Sequence, residues 1–74
     1  MLTRVTNPQR VLGQAIRARR RALGLTQEQL AEKADLHWTY ISGIERGVRN
    51  VTIGNLFHIA RALNIRVRDL VKDM

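Results

Sequence analysis

The chain has 74 residues, 13 Lys or Arg against 6 Asp or Glu, a formal net charge of +7 and no cysteine. That length makes one domain near the lower limit of unaided folding, and without cysteine there are no disulfides, thiolate-held metals or thiol nucleophiles. No run nears the roughly 18 apolar residues of a membrane span and residues 1–7 lack signal-peptide character, so a cytoplasmic protein is expected, its basic surface suited to nucleic acid.

Residues 1–6 carry no periodicity and read as a flexible arm bearing Arg4. Asn7 before Pro8 is a helix start, with Asn as N-cap and Pro at the first helical position. The first helix is expected to reach Leu23 and stop at Gly24, a residue suited to a left-handed helix end. Leu12, Ile16, Arg20 and Leu23 share one face, with Val11 and Ala15 beside it. Arg17, Arg19 and Arg21 fall off that face and are expected to be solvated. Arg20 is the odd member of the stripe. Either its stem packs while its head reaches water, or a buried carboxylate meets it.

Thr26 and Gln29 form a capping-box pattern at the start of a second helix, Gln27–Ala34. Leu30, Ala31 and Ala34 are its inward side, while Glu28 and Glu32 point outward and complement its N-terminal partial charge. Only Asp35, Leu36 and His37 separate it from a third pattern, Trp38–Arg46. So short a link forces a steep angle between the two helices. This is the helix-turn-helix arrangement, whose second helix can lie in a DNA major groove.

Ile41 and Ile44 are the apolar pair of the third helix, with Leu36 just ahead. His37, Trp38, Thr39, Ser42, Gly43 and Arg46 face outward, a set unlike the Glu and Lys of mere solubility. A glycine within a helix costs about 1 kcal/mol against alanine. Gly43 therefore suggests the close approach of something large, or else a tolerated defect.

Gly47 ends that helix, and residues 48–51 form a loop carrying Arg49 and Asn50. Thr52 caps a fourth helix, residues 53–63, with Ile53, Leu56, Ile59, Ala60 and Leu63 inward and Phe57 beside the stripe. Asn64 closes it, and residues 66–73 read as a short last helix with Val67, Leu70 and Val71 apolar. The expected fold is all-α, a compact five-helix bundle making residues 1–74 a single domain.

His37 and His58 lack ligand spacing and Ser42 has no evident base, so no catalytic residue, metal, cofactor or small-molecule ligand is expected. A membrane-surface role needs a continuous basic amphipathic helix, which the glycines interrupt. Two classes remain: a regulator bound to double-stranded DNA, or an antitoxin or adaptor of the same fold acting through a protein partner.

At Leu23-Gly24-Leu25-Thr26-Gln27 and Ile41-Ser42-Gly43-Ile44-Glu45-Arg46-Gly47 the chain resembles the Cro/phage-repressor (Xre-type) helix-turn-helix family, with its lambda-repressor-like DNA-binding domain. The resemblance runs from about Leu12 to Val71. From Thr39-Tyr40 to Arg49-Asn50 it looks most like the controller proteins of restriction–modification systems, small dimeric regulators that bind operators upstream of their own and the endonuclease gene. It implies a structural ion pair between Arg20 and Glu45, and a Gln27 that fixes register on a phosphate. It also implies base contacts from Trp38 and Thr39, then from Ser42 and Gly43 one turn on.

The residue chemistry fits those roles. Thr and Ser can exchange hydrogen bonds with base edges, and Tyr40, Arg46 and Arg49 suit phosphates, with Arg17 and Arg19 as further candidates. Trp38 departs from the polar or basic residue common at its position in such relatives. It either packs on a thymine methyl or sugar, or lies against Tyr40 or the second helix. Arg66 stands where a small N-cap is usual, so a ragged start to the last helix is expected. A homodimer is expected through Phe57, Val67, Val71 and Met74, apolar residues that one small core does not readily absorb.

Overall fold

Residues 7–74 are described in the computed structural model, so the arm with Arg4 lies outside the described residues. The helices are α1 Pro8–Ala22, α2 Gln27–Ala34, α3 Trp38–Glu45, α4 Ile53–Ala62 and α5 Val67–Val71. Each start has a local cause. Asn7 Oδ1 accepts the Gln9 N–H at 2.9 Å, and Thr52 Oγ1 accepts the Asn55 N–H at 3.1 Å. In the capping box of α2 the Gln29 N–H donates to Thr26 Oγ1 at 3.0 Å and the Thr26 N–H to Gln29 Oε1 at 2.8 Å. These bonds satisfy donors that a helix leaves orphaned in its first turn.

The helix ends are equally local. Gly24 at φ 72° and Gly47 at φ 77° take the left-handed conformation, as do Asn64 and Asp35, each at φ 58°. Asp35 is the corner of the helix-turn-helix: its left-handed backbone ends α2 and turns the chain toward α3 within three residues. The last helix is shorter than expected at both ends. Arg66 supplies no side-chain cap, and Asp69 reaches back to its N–H at 3.4 Å.

Helix α3 packs on α1 and α2, α4 on α2, and α5 closes the bundle against α1 and α4. Ile16, Leu30, Ile41, Ile44, Ile59, Leu63 and Leu70 are fully buried where these helices meet, each contributing roughly 1.5–3 kcal/mol relative to exposure. Two expected core residues are not there. Leu23 is 40% exposed because it is the C-cap of α1, beyond the last packed turn; Ile53 is 72% exposed because it opens α4 ahead of its first buried residue, Leu56.

Gly13, which the apolar pattern does not single out, sets how closely α1 and α3 approach. A Cβ there would lie 2.2 Å from the Ile44 carbonyl oxygen and 2.9 Å from that of Glu45. Both obstacles are backbone, so only glycine fits.

Candidate nucleic-acid interface

The site is built upward from a buried ion pair. Arg20 Nε lies 2.7 Å from Glu45 Oε2 and Nη2 lies 2.9 Å from Oε1, while Nη1 donates to the Leu25 carbonyl at 2.8 Å. Such a bidentate pair has fixed direction as well as strength. The hydrogen bond to Glu45 holds the guanidinium above the ordinary arginine range despite its desolvation, so it stays charged. Glu45 Oε1 also accepts from Gln27 Nε2 at 3.1 Å. Three side chains thus join α1, the first turn of α2 and the last turn of α3, fixing the attitude of α3.

Gln27 is therefore half-buried and oriented inward, with one amide N–H engaged by Glu45 and one left for a phosphate oxygen. Next to it, Trp38 is 46% exposed and stacks on His37 with centroids 6.3 Å apart. Trp38 also borders a shallow groove with Thr26, Gln27 and Glu28. Its indole thus rests on His37 beside the start of α2, with nearly half of the residue still exposed.

His37, expected only as an outward residue without a ligand role, is the N-cap of α3. Its Nδ1 accepts the Thr39 N–H at 3.1 Å and caps α3, and the Thr39 hydroxyl lies 2.7 Å from the same nitrogen. The signal was available: His37 occupies the N-cap position, where a side-chain acceptor is favoured. Thr39 is exposed and Ser42, one turn on, is half-buried.

Gly43 is not on the outward face. It is buried, and a Cβ would fall 2.3 Å from Arg49 Cγ. The large object approaching Gly43 is the protein's own Arg49 side chain, which crosses the helix there. The Arg49 guanidinium then sits over the Tyr40 ring, 5.2 Å from its centroid, a cation–π arrangement. Tyr40 donates its hydroxyl proton to the Asn50 carbonyl at 3.3 Å and accepts from Asn55 Nδ2 at 3.2 Å. A phosphate contact from that hydroxyl as donor would exchange the bond to Asn50.

Arg19 also departs from expectation. Its Nε donates to the Leu63 carbonyl at 3.0 Å and Nη2 to that of Asn64 at 3.4 Å. It serves the C-terminal end of α4, where carbonyls lack helical partners and the helix dipole favours a cation. Arg17, Arg46 and Arg49 are exposed, Arg46 at the C-cap of α3.

A second, apolar face lies on α4 and α5. Phe57 is 58% exposed and Met74 53%, while Val67 and Val71 are half-buried against the core. Ile53, one turn before Phe57, extends this face. A shallow depression runs between Phe57, Ala60, Ile65 and Val67, with Arg61, Arg66 and Arg68 also lining it. Among the described residues no helix is long and apolar enough to cross a membrane, and no group of three or more His, Asp or Glu could hold a metal ion.

Comparison with known proteins bears on this geometry. The model of a family described as helix-turn-helix matches residues 16–70. The control protein C.BamHI of Bacillus amyloliquefaciens is 46% identical over 69 residues, covering 90% of this chain and 85% of that protein. The control protein C.SmaI of Serratia marcescens is 46% identical over 61 residues, covering 82% and 73%. The crystal structure of the restriction–modification controller protein C.AhdI from Aeromonas hydrophila superposes with a TM-score of 0.83 at 44% identity, covering 84% of this chain and 94% of that one.

Proposed function

The chain belongs to the helix-turn-helix family and is a DNA-binding transcription regulator; on that footing we propose that it acts as a homodimer on a pseudo-palindromic operator and controls a restriction–modification operon. The observation that carries this reading is the first turn of α3. Trp38 and Thr39 stand exposed there, with the helix braced from behind by Arg20, Glu45 and Gln27.

In this reading Trp38, Thr39 and Ser42 meet base edges, whose pattern in the major groove distinguishes all four base pairs. Arg17, Arg46, Arg49, the free amide N–H of Gln27 and, after exchange, Tyr40 meet phosphates, which set register without reading sequence. Gly43 contributes by letting Arg49 cross α3 rather than by touching a base. A second copy joined through the Phe57 face supplies the other half-site. The regulator works where the DNA is, in the cytoplasm.

Selection of bound sites from random duplexes tests this. The expected product is an inverted repeat whose half-site centres lie about 34 Å apart, one helical turn, or a multiple of it. A single unrepeated site would remove the dimeric operator. Absence of any enriched sequence would remove the reading face.

A further inference from the structure

Three groups at the start of α3 leave one polar direction unassigned: which way the Thr39 hydroxyl points its proton. A backbone N–H can only donate, and the Thr39 N–H is directed at His37 Nδ1 at 3.1 Å. Nδ1 therefore presents its lone pair, and in neutral imidazole the proton sits on Nε2. The Thr39 hydroxyl, 2.7 Å from that same lone pair, must donate to it. Its proton is thus turned back into the protein, and only oxygen lone pairs remain for an external partner.

We propose that His37 is a specificity-determining positioning residue: by holding the Thr39 proton, it makes Thr39 an acceptor that selects an amino group at the base it faces. This rests on the reading of Thr39 as a base contact. In the major groove adenine N6 and cytosine N4 are donors, whereas guanine O6 and thymine O4 at the equivalent place are acceptors. A free threonine hydroxyl would suit either class by rotating, accepting from an amino group or donating to a carbonyl oxygen. One held by His37 meets guanine O6 or thymine O4 lone pair to lone pair. The strand facing Thr39 should therefore carry A or C at that position, and exclude G or T.

The stacking of Trp38 on His37 strengthens the arrangement, because it adds a contact that fixes the imidazole plane. The role differs from simple capping. Capping the helix needs any acceptor for the Thr39 N–H, while the selection needs that acceptor to take the hydroxyl proton as well.

The test compares wild type, Thr39→Val, His37→Asn and His37→Ala in selections from random duplexes, with circular dichroism to check that each folds. Thr39→Val keeps the side-chain shape and identifies the position that the hydroxyl reads. There, wild type should favour A or C over G or T by about tenfold. His37→Ala should bring that ratio close to even while leaving other positions unchanged. His37→Asn, whose Oδ1 accepts as Nδ1 does, should retain it.

A wild-type preference for G or T at that position overturns the proposal and leaves the base contact standing. So does an even loss of affinity across all sites in His37→Ala. If Thr39→Val alters no position, the base contact itself fails and the proposal falls with it. Independently of DNA, nitrogen NMR of the ring at pH 8 should show a bare Nδ1 and a protonated Nε2; a protonated Nδ1 overturns the proposal outright.

Discussion

The Arg20 guanidinium and the Glu45 carboxylate lie fork to fork beneath α3, with only 8% and 5% of the two residues exposed. Breaking such a pair leaves an uncompensated buried charge, typically at 3–5 kcal/mol. For a domain of this size, at about 0.05–0.15 kcal/mol per residue, that is a large share of the total stability. Glu45→Gln should therefore lower the unfolding free energy by about 3–5 kcal/mol, moving the midpoint of denaturant titrations at 25 °C to a far lower concentration. A change below about 1 kcal/mol would show that the pair is not structural. The arginine's raised pKa keeps its share of the stability fully present below the ordinary arginine range and lost only as pH rises above it. No loss from Arg20 is expected between pH 5 and 9.

Two glycines make opposite predictions. Gly13→Ala drives a methyl group into the Ile44 and Glu45 carbonyls and can be relieved only by separating α1 from α3. Overpacking of this kind costs about 1–3 kcal/mol, and the shift would also strain the Arg20–Glu45 pair. Gly54→Ala meets nothing within 4 Å and restricts the unfolded chain, so a gain of about 0.4–1 kcal/mol is expected. Thermal melts of the two variants should move in opposite directions; movement of both the same way would contradict the packing described for α1 and α3.

These cases mark what was legible in the sequence. Asn7-Pro8, the Thr26–Gln29 box, Gly24, Gly47 and Asn64 act on their own immediate backbone, so helix existence and most boundaries follow from adjacent residues. Buried positions of α2 and α3 such as Leu30, Ala31, Ile41 and Ile44 follow from period. Gly13 does not, because its constraint is a backbone 31 residues away. Arg19 caps a helix end 44 residues on, and Arg49 reaches back over Gly43; a basic side chain reads alike whether it faces water, a phosphate or a carbonyl. The HTH turn was legible from its length alone, while the inward aim of Gln27 required knowing where Glu45 would lie.

The arginines divide accordingly. Arg46 is exposed at the end of α3, and Arg46→Ala should weaken binding to all sequences alike and reduce the slope of log affinity against log salt by about 1. Arg19→Ala should leave that slope unchanged and instead lower stability by about 0.5–1.5 kcal/mol through its lost bonds to α4. Salt titrations with one duplex, paired with melts, separate the two effects. A reduced salt slope for Arg19→Ala would mean that it leaves α4 to meet DNA.

Gly43 and Arg49 should behave as one unit. Gly43→Ala pushes on Arg49 Cγ, a flexible stem that can swing away, so the fold should persist while the guanidinium leaves the Tyr40 ring. Both Gly43→Ala and Arg49→Ala are expected to reduce DNA affinity several-fold without changing which bases are preferred. The double variant should be little worse than either single one, an interaction energy of the order of 0.5–1 kcal/mol in a double-mutant cycle. Strict additivity, or a changed base preference in Gly43→Ala alone, would restore Gly43 as a direct contact.

Phe57 offers the sharpest test of the homodimer because it is 58% exposed and so can be changed without opening the core. Val67 and Val71 also support the core, and substituting them would confound assembly with folding. In a two-fold interface each substitution acts twice. Burial of a fully exposed Phe side chain is worth roughly 1.5–3 kcal/mol, and with 58% of Phe57 still open Phe57→Asp should cost the dimer about 2–3.5 kcal/mol over its two copies, before any repulsion between the two carboxylates. At 1.4 kcal/mol per tenfold, the dissociation constant should rise by about 10–300-fold. Sedimentation equilibrium should show a folded monomer at concentrations where wild type is dimeric, and affinity for a two-half-site duplex should fall toward that for a single half-site. A Phe57→Asp variant that still dimerises within threefold of wild type would place the interface elsewhere.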